Sequence, residues 1–204
     1  MTSQLKTAWK LLAITAAVLS FGIAKSSLAA NDGPYVGVSG ELVIGPGTVS
    51  YPGNFYNLAN DGRFSFGAAA GYIYKNFGIE AKYQDLGSQH QTGLNGVSTN
   101  TGTFGGKFIG VNGLYFIPVN DGKQDFYVGI GAGSLQTSLK TTGLSVSQNE
   151  LALNLAAGVR MNLTKNFAVT VEANHLTPVT HGLANTGLYN TGFTIVSLGL
   201  VAGF

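Results

Sequence analysis

The sequence predicts an all-β fold: a closed eight-stranded antiparallel up-and-down transmembrane β-barrel preceded by a cleaved signal peptide. Three observations carry this. Charged residues make up only 10% of the 204 residues, against about 25% in an ordinary soluble domain. After the first thirty residues there is no run of 18 consecutive apolar residues, so helical membrane spans are excluded. The remainder falls into about eight segments in which apolar residues alternate with polar or small ones. A chain with few charges and no apolar helix can face hydrocarbon only through alternate residues of paired strands.

Residues 1–30 read as a secretory leader. Lys6 and Lys10 precede an apolar run from Leu11 to Ala24, and small residues around Ser27 and Ala29 follow. That run is shorter than the roughly 20 residues a membrane-spanning helix needs. Cleavage after Ala29 or Ala30 would divide the chain into a leader, 1–30, and a barrel domain, 31–204. Of the 11 Lys and Arg residues, the leader holds Lys6, Lys10 and Lys25, leaving eight against nine Asp and Glu. The basic character is therefore the leader's, and nothing in the barrel domain suggests a nucleic-acid partner. The chain has no cysteine, so disulfides, thiol chemistry and thiolate metal sites are excluded.

The clearest strand is ELALNLAAGVRMNL, where Leu151, Leu153, Leu155, Ala157, Val159, Met161 and Leu163 share one parity. Glu150, Asn154, Arg160 and Asn162 share the other, so one face suits lipid and the other does not. In FGIEAKYQ the outward row is Phe77, Ile79, Ala81 and Tyr83, with Glu80, Lys82 and Gln84 inward. In FAVTVEAN it is Phe167, Val169, Val171 and Ala173, with Thr170, Glu172 and Asn174 inward. RFSFGAAAGYIY turns Phe64, Phe66, Ala68, Ala70, Tyr72 and Tyr74 outward. Further strands are expected at about 34–44, 104–117, 125–136 and 192–204.

Connection lengths alternate. Tight turns are expected at Lys75–Asn76 and Lys165–Asn166, and a short one with a DG signal at 119–124. Long connections are expected at about 45–62, 88–103, 137–149 and 178–191. Outer-membrane barrels place short turns in the periplasm and long loops outside, so both termini should be periplasmic. The last strand ends in SLGLVAGF, with Leu198, Leu200, Ala202 and Phe204 on one face. As the closing strand it must pair with the first, near Tyr35, to remove the sheet edges.

This ending resembles the C-terminal signature of outer-membrane barrels, in which a final Phe and alternate apolar residues are read by the barrel-insertion machinery. The segments YVGVSGE, FGIEAKYQDLG and FYVGIGAG resemble the opacity-protein and OmpA transmembrane-domain group. The resemblance implies an outer-membrane surface protein of a Gram-negative cell, surrounded by lipid and lipopolysaccharide. It implies a non-enzymatic scaffold displaying four extracellular loops for envelope integrity or for contact with a host or surface ligand. Full OmpA has a periplasmic domain that would follow Phe204.

By parity the lumen receives Glu41, Arg63, Glu80, Lys82, Glu150, Arg160 and Glu172, with Asn112, Asn154 and Asn174. An unpaired charge there is costly, so Glu80, Lys82, Arg160 and Glu172 are expected to form one hydrogen-bonded ion cluster, with Glu41, Arg63 and Glu150 higher. As a structural core the cluster specifies the barrel; resemblance to OmpA would make it the gate of a narrow, low-conductance pore. Gly129, Gly131 and Gly133 lack the following helix and Lys-Ser/Thr of a phosphate-binding loop, and suit a strand facing large lumen residues. Resemblance to the lipid A deacylases rests on His175 and Thr177, with Thr in place of the family's Ser and no acidic residue after Glu172. His90 and His181 have no second ligand nearby in sequence, so neither metal nor cofactor is expected. In the first long connection, Tyr51, Phe55 and Tyr56 are candidate surface contacts.

Overall fold

The computed structural model describes residues 32–51, 54–59, 62–94, 97–98, 102–120, 122–179 and 192–203. The expected leader, His181, most of the 178–191 connection, the side chain of Tyr51 and Phe204 lie outside the described residues. There are eleven strands among those described: β1 (Gly33–Ile44), β2 (Thr48–Tyr51), β3 (Asn54–Leu58), β4 (Arg63–Tyr74), β5 (Phe77–Leu94), β6 (Val97–Ser98), β7 (Thr103–Val119), β8 (Gln124–Thr141), β9 (Leu144–Asn162), β10 (Phe167–Pro178) and β11 (Phe193–Gly203).

Eight of them form a ring in the order β1, β4, β5, β7, β8, β9, β10, β11, each pairing antiparallel with both neighbours. The terminal strand returns to the first, with Tyr35 opposite Gly203 and Ile44 opposite Thr194. The short connections stand where the sequence puts them. Lys75 adopts a left-handed φ of 55°, and the Asn76 amide donates to the Phe116 carbonyl at 2.9 Å.

The outward rows follow the expected parity. Ile79 is 60% exposed, Leu155 56% and Leu200 62%, and none of these side chains has a core to enter. Aromatic residues edge this apolar band: Tyr74, Phe77, Tyr115, Phe126 and Phe167 at the turn end, Phe64, Phe66 and Tyr83 at the other. On β9 the outward apolar row runs from Leu151 to Met161, and above it Ser145, Ser147 and Asn149 face out.

Two expected long connections are instead mostly strand. β5 and β7 reach Leu94 and Thr103, and β8 and β9 meet at a two-residue turn, Thr142–Gly143, with Gly143 at φ 76°. The reason is an inversion of pattern. Over 134–140, Ser134, Gln136, Ser138 and Lys140 face out, while Leu135, Thr137 and Leu139 are fully buried. Above the apolar band the outer face meets water and the interior becomes the apolar side, so the alternation persists with its sense reversed. On β5 a bulge between Asp85 and Ser88, with Gly87 at φ 60°, moves the inward parity from Gln84 and Leu86 to Gln89 and Gln91.

The interior is layered. At the upper end Val43, Leu86, Phe104, Phe108, Leu135, Leu139, Leu176, Phe193 and Ile195 are all fully buried in one apolar cluster. Phe104 and Phe193 stack there at 5.9 Å. The β2–β3 hairpin pairs with the upper part of β5 and adds Val49, Tyr56 and Leu58 to this cluster. Tyr56 is thus no surface residue: it is 3% exposed, while Phe55, of opposite parity, is 62% exposed. Near the turn end a smaller apolar cluster joins Tyr35, Ile73, Leu114, Phe116 and Tyr127. Glu80, Lys82 and Glu172 lie between the two.

Candidate functional site

The polar layer is built twice from the same parts. On β1, β4 and β5, Tyr35, Gly71 and Glu80 stand side by side in register. On β8, β9 and β10, Tyr127, Gly158 and Glu172 repeat the row. In each row the tyrosine lies across the bare glycine of the middle strand and donates its hydroxyl to the glutamate on the third, Tyr35 to Glu80 Oε2 at 2.9 Å and Tyr127 to Glu172 Oε2 at 3.1 Å. A Cβ on Gly71 would sit 2.6 Å from the Tyr35 ring and one on Gly158 2.5 Å from the Tyr127 ring, so only glycine admits the crossing.

Lys82 joins the two rows. Its Nζ donates to Glu172 Oε1 at 2.6 Å and Oε2 at 2.9 Å, and lies 3.2 Å from Glu80 Oε1. These side chains are only 6–9% exposed. Their remaining lone pairs are met by amides, as a buried carboxylate requires. Asn174 donates to Glu172 at 2.8 Å, Asn112 to Glu80 at 3.3 Å, and Asn154 to Asn112 at 3.0 Å.

Arg160 belongs to a second station rather than to the expected four-residue cluster. It faces Asp125 across the β8–β9 ladder, and Asn162 links them, accepting from Arg160 Nε at 3.0 Å and donating to Asp125 Oδ2 at 3.2 Å. Register explains the separation. Glu172 is opposite Gly158, so Arg160, two residues further down β9, falls one rung nearer the turns. Glu41 accepts from Gln84 at 3.1 Å and Ser39 at 3.2 Å. Arg63 donates Nε to the Leu86 carbonyl at 2.6 Å, and its guanidinium lies 5.9 Å from the Phe193 ring centre, at the edge of the upper apolar cluster. Tyr35, Tyr127 and Asp125 join the polar interior without being singled out by charge patterning in the sequence, although all three lie on inward parity.

Glu150 stands one residue above the apolar band on β9. Gln148 donates to its Oε1 at 2.7 Å, and burial pushes its carboxyl up to about 7. The folded protein therefore holds this proton more tightly than the unfolded chain, where a glutamate titrates near 4.3. Ionising Glu150 costs stability: the cost is absent below about pH 4, grows as pH rises to 7 and is complete above it. Glu150→Gln should raise the urea midpoint at pH 8 by the equivalent of about 1–2 kcal/mol and leave it unchanged at pH 4. Equal midpoints at pH 8 would show that the carboxylate is already well solvated.

What this layer can do chemically is limited by space. A cavity of about 60 Å³ adjoins Tyr35, Glu41, Glu80, Lys82, Arg160 and Glu172, room for a few waters and no larger substrate. The histidine of the deacylase comparison lies elsewhere. His175 projects outward from β10, and its Nδ1 is 3.0 Å from Thr194 Oγ1, its cross-strand neighbour, rather than from an orienting carboxylate. Thr177 faces outward with it. Leu198 and Leu200 are exposed on the outer face of β11, with Ala202 on the same parity.

Several solved structures share this architecture. The outer-membrane protein OprG from Pseudomonas aeruginosa superposes with a TM-score of 0.62 at 13% identity, over 86% of this chain and 98% of that one. Neisserial surface protein A gives 0.58 at 18% identity, over 84% and 97%. Ail, the attachment invasion locus protein of Yersinia pestis, gives 0.51 at 16% identity, over 85% and 100%. At such identities the likeness is one of fold. No curated protein matches the sequence. The family model described as the outer membrane protein β-barrel domain matches residues 13–204, and the chain, with its eight-strand ring, belongs to that family.

Proposed function

We propose that the chain is exported, loses residues 1–30, and stands in the outer membrane as a closed, non-enzymatic transmembrane barrel. It acts through its outer wall and extracellular hairpins in envelope integrity or surface contact. The lumen is its core. The observation that carries this reading is the layering of the interior: the Glu80–Lys82–Glu172 layer lies between two apolar clusters, the upper of which contains ten fully buried large or branched side chains. Ions avoid such apolar constrictions, since dehydration there is uncompensated. The outward placement of His175 against Thr194 supports the non-enzymatic part. A role in surface contact is in keeping with Ail, which has been solved with the heparin analogue sucrose octasulfate.

The competing reading, a narrow pore gated by Glu80, Lys82, Arg160 and Glu172, makes an opposite prediction. In planar bilayers the folded protein should show no discrete openings, and Lys82→Ser/Arg160→Ser should stay silent because both apolar layers remain. Openings in the wild type that grow in the double variant would replace the scaffold by the gated pore.

A further inference from the structure

The seam where the ring closes encloses a polar chamber, and one of its buried carboxylates has no counter-charge. Two rungs cross from β1 through β11 to β10. Glu41, Ser197 and Glu172 stand side by side on the upper one, and Ser39, Gly199 and Thr170 on the rung below. All six border the cavity of about 60 Å³ beside Lys82. Glycines shape it. Gly67, opposite Ser39 on β4, has no side chain, and Glu41 Oε1 lies against it, accepting from Gln84 at 3.1 Å and from Ser39 at 3.2 Å. Gly199 leaves room for Thr170, whose Oγ1 lies 2.5 Å from where a Cβ would stand.

Glu41 Oε2 is the atom left over. Glu41 is 2% exposed, and among the described residues no group donates to Oε2 and no cation pairs with the carboxylate. Lys82 is committed to both oxygens of Glu172 and to Glu80. Arg160, the other cation bordering the cavity, is linked through Asn162 to its own carboxylate, Asp125. A buried carboxylate without a partner is costly. The hydroxyl oxygens of Ser39, Thr170 and Ser197 border the same space, and oxygen donors of this kind take hard cations. Calcium draws on roughly six to eight oxygens, several of them carboxylate; one free carboxylate oxygen near an ammonium group suits a single charge. We propose that the chamber binds one alkali-metal ion of sodium size through Glu41 Oε2, with the three hydroxyls and enclosed water completing its shell. Val43 and Ile195 form the rung above, and Val201 lies one rung below. The ion is therefore enclosed as the strands close and exchanges only when they part, as a counter-ion of the core and not a conducted one.

The test follows urea unfolding of the full chain by gel mobility, in sodium chloride and in N-methylglucamine chloride of equal ionic strength at neutral pH. Exchanging N-methylglucamine for sodium should lower the wild-type unfolding constant roughly tenfold, because the ion binds the folded chain alone. Glu41→Gln keeps the shape and removes the charge, and should be indifferent to the exchange. Glu150→Gln, which alters a carboxylate outside the chamber, should keep the full sodium response. Wild-type protein folded and crystallised in rubidium chloride should show an anomalous scattering peak beside Glu41 Oε2, a readout that stands even if Glu41→Gln does not fold. Equal wild-type unfolding in the two salts would overturn the site and give Glu41 a proton in place of the ion. A sodium response undiminished in Glu41→Gln, or rubidium crystals with no peak in the chamber, would overturn it as well. Each of these results leaves the barrel reading intact, since the site depends on the ring of strands and not on what its outer wall contacts.

Discussion

Lys82→Met should lower the unfolding free energy by about 3–5 kcal/mol, the size expected when one member of a buried ion cluster is removed. Methionine fills nearly the same volume and adds no strain, so the loss is electrostatic. Glu172 would keep its bonds from Tyr127 and Asn174 but lose two from Nζ, at 2.6 and 2.9 Å. Glu80 would lose its only ion pair among the described residues, leaving two nearly buried carboxylates facing each other. Adding Glu80→Gln and Glu172→Gln to Lys82→Met should recover most of the loss, because a neutral layer needs no counter-charge. The measurement is the urea midpoint by gel mobility, with the three proteins folded in the same detergent. A single variant as stable as wild type would mean that water already neutralises this layer, and would revive the hydrated pore.

The sequence made the membrane half of this barrel legible because one rule governs it: apolar out, polar in, at period two. That rule gives the outward rows through Leu155 and Ile79, the inward placement of Glu80, Lys82 and Glu172, and the three short turns. It fails above the band for a physical reason. Where the outside is water, Leu135 and Leu139 turn inward, and the same alternation resembles a polar loop when matched against a lipid-facing template. Tyr56 is misplaced by the same logic, since a hairpin over the mouth finds its core inside the barrel. Parity groups Arg160 with the Lys82 cluster because it reports which face a residue takes and says nothing of height; the register that sets Gly158, not Arg160, opposite Glu172 comes from pairing. The tyrosine crossings were hidden for another reason. Glycine at 71 and 158 looks like ordinary barrel composition until the strands beside it are known.

Those two glycines carry the second large effect. Gly158→Val should destabilise the barrel by about 2–4 kcal/mol, beyond ordinary overpacking, because the new side chain collides with two things at once. A Cβ would stand 2.5 Å from the Tyr127 ring and hydroxyl and 2.7 Å from the Val171 carbonyl. The ring must leave, and with it goes the hydroxyl that donates to Glu172 at 3.1 Å. Tyr127→Phe isolates that bond, since it keeps the ring, and should cost about 1.5–3 kcal/mol. The decisive variant is Gly158→Val/Tyr127→Ala. If the glycine exists to admit the ring, removing the ring makes room for valine, and the double variant should lose at least about 1 kcal/mol less than the sum of its singles. The same cycle at Gly71 and Tyr35 should give the same sign, because that row has the same register and its own ring 2.6 Å from the missing Cβ. Strict additivity at both rows would mean that valine's cost comes from backbone contacts alone, and that the tyrosines lie across the glycines without depending on them.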